Sequence, residues 1–217
     1  MRHNQRRQEH LASLRLDIAG ASVLEVGAGI GDHTSFFIDR GCQVTTSEAR
    51  EENLKILRRR YPNLKVFRLD LDTPPESFEE MFDIVYCYGV LYHLGKPGRA
   101  IEFMARHCRR MLLLCACVSF GDGELVNPCL ENKLDPSQSL SSAGCRPTRK
   151  WLYNQLKQYF EYVYLPITQP CHEEFPLDWS SPSLHKPNLA RAVFVASKKK
   201  ISNDFLTGEI PMIQRRL

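Results

Sequence analysis

The chain has 217 residues, 43% hydrophobic and 25% charged, with 29 Lys+Arg against 25 Asp+Glu for a formal charge of +4. That length suits one domain, and the near-average composition excludes a disordered, collagen-like or coiled-coil chain. The longest apolar run, 111–118, has eight residues, against the roughly 20 that a bilayer span needs, and the polar N-terminus opens no secretory signal. A cytoplasmic protein with no membrane partner is expected.

The charge is unevenly placed. Residues 1–16 and 198–217 each carry a net +3, which leaves −2 for the body. A nucleic-acid-binding face belongs in the body, so nucleic acid is not the expected partner, and the basic ends read as solvated termini. The eight cysteines show no C-x-x-C, which fits reduced thiols and no metal site. The one cluster that invites a zinc reading, Cys171-His172 with His185, matches no common ligand spacing.

In chain order, an amphipathic first helix carries Leu11, Leu14 and Leu16. Strands are predicted at 21–26, 42–47, 64–69, 82–88 and 111–118, with helices at 32–40, 50–60 and 97–108 between them. Gly41 is placed to end the second helix, and Pro62 follows the third. Strands alternating with helices imply parallel βαβ units covered on both faces. Residues 121–147 are rich in Gly, Pro, Ser, Asn and Asp and read as a functional loop or lid. Thr148 reads as the N-cap of a helix to about 160, and strands are predicted at 162–166 and 192–197, separated by a Pro-rich excursion at 168–189.

Between the first strand and its helix lies Val23-Leu24-Glu25-Val26-Gly27-Ala28-Gly29-Ile30-Gly31. Glycines at such a turn let a nucleotide approach the backbone. The spacing is G-x-G-x-G, with Asp32 where a dinucleotide fingerprint has its third glycine. Glu25 would repel a pyrophosphate and attract a ligand bearing ammonium and sulfonium charge. Glu48 ends the second strand, 17 residues past Gly31, and Asp70 follows the third, with Asp72 as its competitor. The fourth strand runs into Tyr88-Gly89-Val90-Leu91-Tyr92-His93-Leu94.

These four motifs, taken in order over residues 20–120, resemble the class I S-adenosylmethionine-dependent methyltransferases. The resemblance implies an α/β fold: a Rossmann-like, mostly parallel seven-stranded sheet of order 3-2-1-4-5-7-6, the last strand antiparallel, with helices on both faces. It implies one domain, with an N-terminal helix over 1–19, a cofactor half over 20–120, acceptor loops and final strands over 121–197, and a basic tail over 198–217. It implies S-adenosyl-L-methionine as cofactor, held by Glu25, Gly27, Ala28, Gly29, His33, Thr34, Glu48, Ala49, Asp70, Leu71, Cys87 and Tyr88. Glu48 would accept the ribose hydroxyls and Asp70 the adenine amino group.

Methyl transfer mainly requires alignment of acceptor and donor, and a hydroxyl acceptor also needs a base. His93 is the first candidate base, unless it packs structurally at the next helix, and His172 is the second. Acceptor contacts are expected from Tyr92, Arg146, Arg149, Trp151 and His172. The two arginines either grip an acceptor carboxylate or phosphate or are ordinary surface cations. The expected activity is methylation of a small molecule, on an oxygen of a sugar or natural product, by a monomer or homodimer. The alternatives are a protein or RNA methyltransferase and a non-catalytic cofactor-binding partner subunit.

Overall fold

The computed structural model describes residues 2–185 and 187–217. Met1, counted in the expected first helix, and Lys186, within the second Pro-rich excursion, lie outside the described residues. The elements are α1 (Arg2–Ser13), β1 (Ser22–Val26), α2 (Thr34–Ile38), β2 (Gln43–Glu48), α3 (Glu51–Arg60), β3 (Lys65–Arg68) and β4 (Phe82–Tyr88). They continue with a 3₁₀ turn (Leu91–His93), α4 (Pro97–Arg106), β5 (Cys108–Val118), β6 (Val126–Leu130), β7 (Ala143–Pro147), α5 (Arg149–Lys157), β8 (Tyr162–Pro166) and β9 (Thr168–Gln169). A second 3₁₀ turn (Pro182–Leu184), β10 (Ala190–Ser197), β11 (Leu206–Thr207) and β12 (Arg215–Arg216) complete the chain.

The main sheet runs β3-β2-β1-β4-β5-β10-β8-β11. The first five of these are parallel, and β10 lies antiparallel to both β5 and β8. This is the expected seven-strand order with one short edge strand, β11, added. Alternation along the strands builds two cores. Leu24, Val85, Cys87, Leu112 and Leu114 face α4 and α5, while Val23, Ile84, Tyr86, Met111 and Leu113 face α1 and α2.

The local signals act where expected. Gly41 takes φ +69° after α2, and the Thr148 Oγ1 accepts the Trp151 N–H at the start of α5. All eight cysteines are free. Among the described residues, no helix is long and apolar enough to cross a membrane.

Two expectations are corrected. Residues 121–147 contain a hairpin, β6 paired antiparallel with β7 from Val126↔Pro147 to Leu130↔Ala143. Pro128 and the lack of apolar alternation hid it, because β6 is largely exposed and β7 buries Gly144, Cys145 and Pro147 without a period of two. The basic ends are also not solvated tails. Arg7 is 5% and His10 0% exposed, with His10 Nε2 3.0 Å from the Thr168 carbonyl. At the other end, β11 pairs with β8 and β12 with β9. Buried Gln214 accepts from Trp179 Nε1 and Gln169 Nε2, each at 2.8 Å, and donates to the Pro166 carbonyl. Gln214→Ala strands two buried donors. It is expected to lower stability by about 3 kcal/mol, read as a lower midpoint in urea with an unchanged slope.

Candidate active site

A cavity of ≈ 450 Å³ opens over the carboxyl ends of β1, β2 and β4, where α/β folds bind their ligands. Gly27 and Gly29 form its floor at φ +59° and +58°. A Cβ on Gly27 would run into the Val90 side chain, whereas open space surrounds Gly29. The turn therefore requires glycine at its first position for packing and leaves its second free for close approach of a ligand.

On the β2–β3 side the site is acidic. Glu48, 7% exposed, accepts the Gly29 and Arg50 N–H groups, each at 2.9 Å. A carboxylate offers about four acceptor positions, so two remain for a diol. Asp70 caps its own turn, accepting from the Asp72 N–H (2.9 Å) and the Thr73 hydroxyl (3.2 Å). Asp72 uses both oxygens on the Gly95 and Lys96 N–H groups at the start of α4. Each carboxylate therefore has both oxygens engaged once, and both line the cavity.

On the β4–β10 side the cavity is lined by Arg7, His33, Tyr88, Tyr92, His93 and Arg191. Burial, with help from the Arg7 charge, holds His33 down at about 3. The neutral ring accepts from Arg7 Nη2 at 3.2 Å, so its other nitrogen donates to the Tyr86 hydroxyl. His93 Nδ1 lies 2.5 Å from Glu131 Oε2, a carboxylate 5% exposed that also accepts the Ser139 N–H and Arg146 Nη2. Burial lowers the His93 pKa although the Glu131 hydrogen bond pulls it upward. Glu131 and Arg7 were missed from sequence. One sits on a hairpin that had no periodic signature, the other in a helix read as a basic end.

Of the sequence candidates, Gly27, Ala28, Gly29, His33, Glu48, Ala49, Asp70, Leu71, Tyr88, Tyr92 and His93 all line the cavity. Glu25, Thr34 and Cys87 sit behind the cavity wall rather than in it. Glu25 is fully interior, accepts from Thr34 Oγ1 at 2.6 Å, and is pushed up to about 7 by burial. It is therefore not the fully charged carboxylate expected to attract a cationic ligand. Burial pushes the Cys87 thiol up to about 12.

The candidate acceptor residues of the later loops are also outside the cavity wall. Arg146 bonds Glu131 and the Tyr92 carbonyl. Arg149 bonds the Pro211 carbonyl and stacks 3.9 Å from Trp179, and Trp151 packs on the α4–α5 core. His172 packs edge-on to His3 at 4.8 Å. One ring nitrogen of His172, one of His3 and one Glu174 oxygen lie within 4.8 Å of one another. Cys171 and His185, named with His172 in the sequence as a grouping of no common ligand spacing, are not part of that cluster.

The strand order, with a glycine-floored, carboxylate-edged cavity over it, defines a Rossmann-like domain. Residues 23–112 match the family described as "Methyltransferase domain". The ubiquinone biosynthesis O-methyltransferase of Xanthomonas oryzae pv. oryzae (strain PXO99A) is 34% identical over 101 residues, 43% of this chain and 41% of that protein. The Pseudomonas fluorescens (strain Pf0-1) protein of the same name is 29% identical over 102 residues, 45% and 42% of the two chains. The match thus spans about two fifths of these curated relatives.

Among solved structures, the N-terminal domain of EvdMO1, crystallised in the presence of SAH and D-fucose, shares the fold. It has a TM-score of 0.66 at 21% identity, covering 92% of this chain and 84% of that one. A Mesorhizobium loti S-adenosylmethionine-dependent methyltransferase superposes with a TM-score of 0.62 at 15% identity, covering 88% and 97%. Residues 23–112 are thus similar to a methyltransferase domain, and they sit in a fold shared with S-adenosylmethionine-dependent methyltransferases.

The lone pairs left on Glu48 make a direct test. Glu48→Ala is expected to weaken binding of S-adenosylhomocysteine at least tenfold by calorimetry, roughly the worth of a charge-assisted hydrogen bond. An unchanged Kd would remove Glu48 from the cofactor site.

Proposed function

We propose that this chain transfers the methyl group of S-adenosylmethionine to an oxygen of a small-molecule acceptor, a sugar or natural product, with His93 as the base. The observation that carries this reading is the His93–Glu131 pair. Just past β4, at the cavity wall, a half-buried imidazole is oriented through Nδ1 by a buried carboxylate. The low His93 pKa keeps the ring neutral at neutral pH. The Nδ1 hydrogen then points to Glu131, and the Nε2 lone pair is free to accept a proton.

The cofactor supplies a methyl carbon on a positively charged sulfur and departs as the neutral thioether S-adenosylhomocysteine. The protein's part begins with Glu48 and the Gly27–Gly29 turn, which hold the nucleoside. Tyr88 and Tyr92 wall the space over β4, and the segment 136–141 covers the cavity and excludes water. As the new O–CH₃ bond forms and the S–CH₃ bond breaks, the hydroxyl proton passes to His93 Nε2. Glu131 stabilises the imidazolium this creates, and Arg146 in turn holds Glu131. The curated relatives named as O-methyltransferases support oxygen as the receiving atom. The structural relative crystallised with D-fucose supports a polyhydroxylated acceptor.

His93→Gln is expected to reduce methyl transfer from tritiated S-adenosylmethionine about 100-fold or more, leaving the S-adenosylhomocysteine Kd within about twofold. A variant with full activity refutes the base. The sign of the pH effect follows from the lowered pKa. The neutral base persists as pH falls through 6.5, so the rate declines only below that value. Glu131 raises the His93 pKa, so Glu131→Gln is expected to move this acid limb further down while lowering kcat about tenfold.

A further inference from the structure

The loop that joins the hairpin strands β6 and β7, residues 131–142, lines the cavity and is tied down from the far flank of the sheet. Its base is closed by the Glu131 N–H on the Ser142 carbonyl at 3.0 Å. Among the described residues, hydrogen bonds from outside the hairpin reach it only from His93 and from the start of α3. There Arg50 Nη2 donates to the carbonyls of Lys133 (3.0 Å), Gln138 (3.2 Å) and Ser139 (2.9 Å). Asn53 Nδ2 donates to the Pro136 carbonyl at 3.4 Å. α3 follows β2, whereas the turn that carries His93 follows β4, on the other side of β1.

One of these contacts lies on a direct path to His93. The Gln138 carbonyl and the Ser139 N–H are the two ends of a single peptide unit, which is planar and turns as one body. Its oxygen rests on Arg50, and its N–H donates to Glu131 Oε2 at 2.8 Å. The same Oε2 lies 2.5 Å from His93 Nδ1. A guanidinium on the carbonyl oxygen both fixes the peptide plane and polarises the unit, which strengthens its N–H as a donor. Ser139 is 1% exposed, so the contact is made away from competing water.

The remaining partner of Glu131 does not fix this oxygen, because Arg146 Nη2 lies on Oε1, at 3.3 Å. Without the Ser139 N–H, Oε2 keeps His93 as its one donor among the described residues, and the two side chains are free to swing together.

We infer that Arg50 is a positioning residue: acting through the 138–139 peptide, it fixes the Glu131 oxygen that orients His93. The inference rests on the reading of His93 as the base and adds to it a residue from the opposite flank of the site.

The test reads the His93 ring rather than stability or turnover. A neutral imidazole whose Nδ1–H is held by a carboxylate keeps that proton from exchanging with water, and nitrogen-edited proton NMR detects it. The signal is expected in wild-type protein saturated with S-adenosylhomocysteine, and His93→Gln assigns it by removing it. Arg50→Met is expected to speed its exchange with water at least about tenfold, the scale of one charge-assisted contact. Arg50→Lys offers three donors on one nitrogen to the three carbonyls and is expected to stay within about threefold of wild type. Asn53→Ala removes the other tie to the loop without touching the 138–139 peptide, and is expected to change the exchange by less than about twofold.

A wild type without a protected Nδ1–H overturns the inference, as does an Arg50→Met whose exchange matches wild type. An Asn53→Ala as fast as Arg50→Met overturns it too, since the loop as a whole, not the peptide, would then hold Glu131. If Arg50→Met fails to fold by circular dichroism, Arg50→Gln replaces it and is read the same way. A fully active His93→Gln refutes the base reading instead, while the exchange rates still decide whether Arg50 positions the pair.

Discussion

The carboxylate of Glu48 is the joint about which the glycine-turn side of the cavity is assembled. By accepting the Gly29 N–H it ties the glycine turn after β1 to the end of β2, and by accepting the Arg50 N–H it sets the start of α3. The consequence reaches further through the Arg50 side chain. Its Nη2 donates to the carbonyls of Lys133, Gln138 and Ser139, which hold the 131–142 loop over the cavity. The same loop places Ser139 N–H on Glu131, and Glu131 orients His93. Glycine turn, cover and candidate base are therefore linked through one buried acid and the residue two positions after it. Such a connected polar network is costly to half-satisfy, which gives it a single preferred arrangement.

Sheet order makes the site electrically two-sided. β2 and β3 lie on one flank of β1, and β4, β5 and β10 on the other. Acids gather over the first flank and buried arginines over the second, while burial keeps His3, His33 and His93 below their ordinary pKa. Neutral histidines can accept hydrogen bonds, as His33 does from Arg7, and His93 has a lone pair for chemistry.

Much of the fold was legible because it rests on local rules. Alternating apolar runs marked the parallel strands, Gly41 and Thr148 marked helix ends, and the turn from Gly27 to Gly31 with Glu48 beyond it marked the ligand edge. Glu25 shows where such reading stops. Its place beside the glycines suggested a cofactor contact, but alternation along β1 turns it inward to Thr34. Arg146 and Arg149 stood in the right loop, yet their partners are Glu131, Pro211 and Trp179. Nothing in a linear chain assigns a loop arginine to a carbonyl roughly sixty residues away.

What the sequence determined by itself was therefore the βαβ frame and the glycine turn that floors the cavity, because both follow from residues near one another in the chain and from periodicity. Tertiary structure alone decided the reacting side. Arg7 comes from α1, His93 from the turn after β4, Glu131 from the hairpin and Arg191 from β10, elements far apart in sequence that meet only when the sheet is complete. Their chemistry arises from mutual burial, which shifts pKa values. Burial is a property of packing that composition and spacing do not carry.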